Sequence, residues 1–103
     1  MQKDKILSML GLARRAGRLS MGHDAVIGSV RAKKAKLVLV CAEISQGTKE
    51  DIEFTVNKFS PHTPVAIADI AVGEIYSACG YKAGVVAVND ENFSNKIISL
   101  LSE

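Results

Sequence analysis

The residues best placed to do chemistry lie between Leu12 and Lys36, in the run LARRAGRLSMGHDAVIGSVRAKKAK. A helical pattern ends there in Arg14 and Arg15, a glycine turn carries Arg18, and a second helix opens at Gly22-His23-Asp24. The first turn of a helix leaves backbone N–H groups without intrahelical acceptors and carries partial positive charge, so it suits phosphate. Arg14, Arg15 and Arg18 are expected to converge on that opening. Arg31 and the lysines at 33, 34 and 36 add charge at the far end of the same helix. Asp24 is expected to cap its own helix through its carboxylate.

Other chemistry lacks its residues. No G-x-x-x-x-G-K-[ST] or G-x-G-x-x-G run is present to cradle a nucleotide, and no serine stands in G-x-S-x-G. Neither His23 nor His62 has a carboxylate partner that spacing identifies. Glu50, Asp51 and Glu53 are read as acids favoured electrostatically in a first helical turn. Cys41 and Cys79 are isolated, without C-x-x-C spacing, and read as buried thiols of a reducing cytosol rather than metal ligands. No catalysis, cofactor or metal is expected.

The charge is unevenly placed. Residues 1–36 hold nine cations against Asp4 and Asp24, leaving +7, and residues 37–103 hold four cations against nine acids, leaving −5. A basic end invites a polyanion. Lys49 and Lys58 fall in the acidic part and are expected to stand apart from it. With 103 residues, 48% of them hydrophobic and 23% charged, the chain reads as one globular domain over 1–103. No apolar run reaches the roughly 18 residues of a membrane span, and the N-terminus does not read as a signal peptide.

The elements that must position these residues alternate regularly. Helices are expected over Lys3–Ala16, His23–Lys33, Thr48–Phe59, Val72–Cys79 and a final stretch burying Phe93, Ile97, Leu100 and Leu101 after a cap at Asn89 or Asp90. Between them, Arg18–Met21, Lys36–Ala42, Val65–Ala68 and Gly84–Val88 read as short strands. The second and third of these read as buried on both faces. Helical crossovers between strands imply a mostly parallel sheet, hence a three-layer α/β/α sandwich.

The run LGLARRAGRLSMGHDAV…RAKKAKLVLVCAEIS-x-x-TK resembles the kink-turn RNA-binding ribosomal protein family, of archaeal and eukaryotic large-subunit type, and within it the bacterial YlxQ branch. The likeness spans essentially the whole chain. It extends through the strand from Pro64, the helix end Ala78-Cys79-Gly80 and the closing helix through Phe93, Lys96 and Ile97. The resemblance implies a four-stranded mixed sheet and a cytoplasmic protein, monomeric when free, that binds ribosomal or another structured RNA, on or off the ribosome. It implies an RNA site in two pieces: the second-helix opening (Ser20, Met21, Gly22, His23, Asp24), and the loop at Ile70, Ala71 and Val72, where apolar groups would meet an extruded base.

Tight kink-turn binders of this family show Gly, Thr, Asn, Glu and then Lys three positions after that Glu. Here the same positions read Gly22, His23, Asp24, Ala25 and Gly28. Base-edge contacts are therefore expected to be few, with Arg31 taking over the phosphate contact. The alternative reading is a protein-interaction module of a ribonucleoprotein that has lost tight kink-turn recognition.

Overall fold

A computed structural model describes residues 1–103. In chain order the elements are α1 (Lys3–Arg15), β1 (Leu19–Met21), α2 (His23–Arg31), β2 (Leu37–Cys41), α3 (Gln46–Phe59), β3 (Val65–Ala68), α4 (Val72–Cys79), β4 (Val85–Val88) and α5 (Glu91–Ser102). The sheet order is β1-β4-β2-β3.

Alternation along the central strands builds two cores. Leu37, Leu39 and Cys41 of β2 and Val86 and Val88 of β4 face Ile6 and Leu10 of α1, Ile75 of α4 and Ile97 and Leu100 of α5. Val38 and Val40 of β2 and Val85 and Ala87 of β4 face the other way, onto Val26 and Val30 of α2 and Ile52 and Val56 of α3. A strand sends successive side chains to opposite faces, so one apolar run serves both layers. The architecture is a three-layer α/β/α sandwich around a mixed sheet.

The expectation of a mostly parallel sheet needs correction. β2 pairs parallel with β3, but β4 is antiparallel to both β1 and β2. β3 ends at Ala68, opposite Cys41, and β4 begins at Val85, opposite Val40, so both points lie at the same end of β2. The eight-residue α4 does not return the chain to the far end, so β4 must run the other way. β3 is also an edge strand rather than a strand covered on both faces, and Ile67 is 54% exposed.

Helix ends differ by a residue or two from the sequence pattern. α3 starts at Gln46 because the Ser45 hydroxyl accepts the Thr48 N–H at 3.3 Å. α5 is capped by Asp90, whose carboxylate accepts the Phe93 N–H at 2.9 Å. Asn89 is thereby left to join three elements. Its amide nitrogen donates to Ser20 of β1, its amide oxygen accepts from Ser29 of α2, and its backbone N–H bonds Arg18 O.

α1 and α2 end in the same turn. After α1, the Gly17 N–H reaches Arg14 O and the Arg18 N–H reaches Ala13 O. After α2, the Lys33 N–H reaches Val30 O and the Lys34 N–H reaches Ser29 O. This paired closure requires a left-handed residue. Gly17 supplies it at φ 72°, whereas in α2 the residue is Lys33, at φ 60°.

Candidate nucleic-acid interface

β1, β2 and β3 share one direction, so Met21, Cys41 and Ala68 end together and α2, α3 and α4 all open at that end of the sheet. The three openings are not equivalent. At α4, Glu74 reaches back to the Ala71 N–H at 2.9 Å and Glu43 accepts the Val72 N–H at 2.5 Å. Glu74 is held below the usual carboxylate range by that Ala71 bond first and by Lys3 second. At α3, Ser45 closes the first turn.

At α2, the N–H groups of His23, Asp24 and Ala25 have no acceptor in the chain. Gly22 precedes them at φ 94°, a conformation that favours glycine, with its own N–H bonded to Val85 O. Three parallel donors at the positive end of a helix make this the one opening of the three fully available to an anion.

His23 dominates the surroundings. Its Nε2 lies 2.5 Å from an Asp51 carboxylate oxygen on α3, and its Nδ1 lies 3.3 Å from Asp24. The bond to Asp51 is the largest cause of a raised His23 pKa, with Asp24 next. Protonation of the imidazole cancels one of the two carboxylate charges beside the three free N–H groups, so the opening repels phosphate less at low pH. Asp24 does not cap α2: its side chain makes no capping bond and is turned to His23. The first-turn place expected of Asp51 does not hold, because α3 begins five residues earlier and has no acid in its first turn. Spacing along the chain held no sign of the His23–Asp51 pair, which packing between α2 and α3 creates.

The remaining expected site residues are dispersed. Met21 is buried in the α1 core, and Ser20, half-buried, accepts the Asn89 amide. Ile70 is also buried in that core, and Val72 packs against it, so of the second piece only Ala71 is exposed. The apolar register of Ile70 is explained by the core, not by an extruded base.

The three arginines do not converge on the α2 opening. Arg14 lies over the Tyr81 ring at 5.4 Å. Arg15 lines an open groove of about 900 Å³ between α1 and α4, with Leu7, Leu12 and Ala78 among its walls. Arg18 stands at the opposite end of β1 from Gly22, bonded through its backbone to Asn89. A three-residue strand intervenes, which sequence adjacency conceals. Arg31, at the last turn of α2, stacks on Phe59 at 5.0 Å and also sits away from the opening.

No three His, Cys, Asp or Glu side chains are grouped to hold a metal ion. Burial pushes the Cys41 thiol up to about 11, which makes it a poor nucleophile, and burial raises Cys79 as well. No helix is long and apolar enough to cross a membrane.

A mixed four-stranded sheet between helices, with an anion-ready opening after its first strand, defines the class of small ribosomal-protein-type α/β domains. The chain belongs to the Ribosomal protein L7Ae/L30e/S12e/Gadd45 family, whose profile matches residues 4–98. It is 36% identical over 97 residues to the RNA-binding protein YlxQ of Bacillus subtilis, covering 90% of this chain and 91% of that protein. It is 27% identical over 100 residues to the large ribosomal subunit protein eL30 of Candida albicans, covering 95% and 92%. Among solved structures, a Bacillus halodurans protein described as having unknown function superposes with a TM-score of 0.87 at 29% identity, over 96% of this chain and 98% of that one. A Giardia lamblia 15.5kD RNA binding protein shares the fold with a TM-score of 0.70 at 15% identity, covering 98% and 88%.

Proposed function

We propose that this protein is a non-catalytic, cytoplasmic RNA-binding protein that takes structured RNA at the opening of α2 and acts as a monomer when free. The observation that carries this reading is the unfilled set of N–H donors at His23, Asp24 and Ala25 beside the His23 imidazole. The relatives named as RNA-binding and ribosomal proteins support it, and ribosomal RNA is the first class of target to try. RNA phosphate enters the backbone donor set, and protonation of His23, whose two ring nitrogens are held by Asp51 and Asp24, lowers the negative charge beside that anion. Asp24 and Asp51 leave the side-chain cluster net negative even with His23 charged, so the attraction comes from the backbone N–H groups and binding is weaker than a cluster of lysines would give.

Fluorescence anisotropy with a kink-turn RNA tests this with two substitutions. His23→Gln removes the charge and keeps the N–H, while His23→Pro removes both and leaves a residue suited to a first helical position. The expected result is tighter wild-type binding as pH falls through the His23 titration, and no such trend in His23→Gln. His23→Pro is expected to lose about tenfold or more, the scale of a charge-assisted hydrogen bond. Wild-type affinity in His23→Pro would overturn the reading.

A further inference from the structure

Six of the thirteen lysine and arginine side chains fall at the end of the molecule opposite the helix openings. Arg18 and Lys36 flank the last residues of β4: the Asn89 N–H bonds Arg18 O and the Lys36 N–H bonds Val88 O, both at 2.8 Å. Lys33 and Lys34 form the turn after α2, whose Ser29 is tied to Asn89 at 2.6 Å. Arg31 and Lys58 both lie over the Phe59 ring, at 5.0 and 5.4 Å, and Lys58 also approaches Phe54, which is 65% exposed. All six cations are exposed.

None of the six has an acid within ion-pair distance. The ion pairs of the chain, Lys3–Glu74, His23–Asp24 and His23–Asp51, all lie at or beside the helix openings. Helix dipoles account for cations in the last turn of α2 and α3. The end of α1 can likewise favour Arg18 in its closing turn, but no helix end accounts for Lys36 at the start of β2. Nor do helix dipoles account for a lysine at φ 60° in a turn that α1 makes with Gly17. A strained lysine among unpaired cations on a hydrogen-bonded base is the pattern of a surface kept for an anion.

We infer that Arg18, Arg31, Lys33, Lys34, Lys36 and Lys58 form a second RNA surface that grips the phosphate backbone of a helical segment without reading its sequence. The molecule measures 32 × 27 × 25 Å, so its two ends address separate segments of one folded RNA or of two RNAs. The protein then acts as a brace between an anion-binding opening and a duplex backbone. The bracing role rests on the proposed function of the α2 opening; the duplex contact does not.

The test uses a straight, labelled RNA duplex of about 16 base pairs, a length that one duplex-binding domain spans, and a kink-turn RNA, each titrated at several salt concentrations. The combined variant Arg18→Gln, Lys33→Gly, Lys34→Gln and Lys36→Gln is expected to bind the straight duplex at least about tenfold more weakly. Its dependence of log affinity on log salt should flatten by up to about three units, since each of the four phosphate contacts removed contributes roughly 0.7–0.9. Lys34→Arg with Lys36→Arg should retain both values, and melting curves check that each variant is folded. His23→Pro should leave duplex binding unchanged. If it also leaves kink-turn binding unchanged while the combined variant loses the duplex, the opening fails as a site and the duplex surface stands. Duplex binding by the combined variant equal to wild type at every salt overturns the inference. So does a combined variant that loses only its binding to vesicles with about 30% phosphatidylserine, which would assign the patch to a membrane surface.

Discussion

His23 and Lys33 are the two residues whose surroundings depart furthest from their types. The folded pKa of His23 lies above its unfolded value, because protonation completes the bonds to Asp51 and Asp24. The stability this pair adds is therefore fully present below the unfolded value near 6.5 and fades as pH rises through the folded one. Melting temperature should fall from pH 6 to pH 8 in the wild type, and Asp51→Asn should remove the His23-dependent part of that fall. An NMR titration of the ring checks the assignment, and an unshifted His23 would refute the pair. Lys33 offers an opposite test. Lys33→Gly should raise stability by about 1 kcal/mol, the cost of a left-handed L-residue, read as a higher urea midpoint at constant slope. Gain of stability with loss of duplex affinity in one substitution would separate the two roles of that lysine.

At the scale of elements, close approach decides the outcome. A side chain at Gly11 would put its Cβ 2.8 Å from Ala78 O, a backbone atom on α4 that has no room to move. Gly11→Ala should cost about 1–3 kcal/mol, the range for overpacking, whereas Gly28→Ala, on an open face of α2, should stabilise by roughly 0.5–1 kcal/mol. Denaturant midpoints of the two variants make the comparison. The same open face allows the kink-turn pattern to be restored. Asp24→Asn, Ala25→Glu and Gly28→Lys together should create a preference for a kink-turn over a straight duplex, at about 1–3 kcal/mol for each good bidentate contact. An absence of any preference would show that the α2 opening does not hold RNA in this orientation. Asn89, which joins β1, α2 and β4, is the corresponding structural test: Asn89→Ala should cost about 1–3 kcal/mol by leaving Ser29 and Ser20 without their partner.

Across the whole molecule the separation of charge matters more than the net value of +2. All the ion pairs cluster near the openings, and six of the cations without an ion pair gather at the far end. Salt should therefore weaken duplex binding steeply, while the pH response belongs to the His23 end. A preparation with Asp51→Asn should move the pH response to lower pH and keep the salt slope. The combined cationic-end variant should flatten the slope and leave the pH response in place. Equal effects of both on one slope would mean that RNA meets a single continuous surface.

The amino-acid sequence by itself determined the order and type of the nine elements, because the signals are local: short continuous apolar runs in β2 and β4, a helical stripe in α1 and α5. It also held the basic bias of residues 1–36 and the position of the α2 opening, marked by Gly22 just before a helix. Four things waited for the tertiary structure. The direction of β4 depends on where α4 releases the chain, which local pattern does not contain. The burial of Met21 and Ile70 depends on which sheet face meets α1. The His23–Asp51 pair joins residues 28 positions apart through helix packing. Last, Lys58, in the acidic part of the chain, stands with Arg31 on Phe59, while Arg18, four residues before Gly22, stands at the other end of β1. Sequence distance and spatial distance part company wherever a strand or helix carries the chain from one end of the sheet to the other, and an RNA surface is a property of the end, not of the segment.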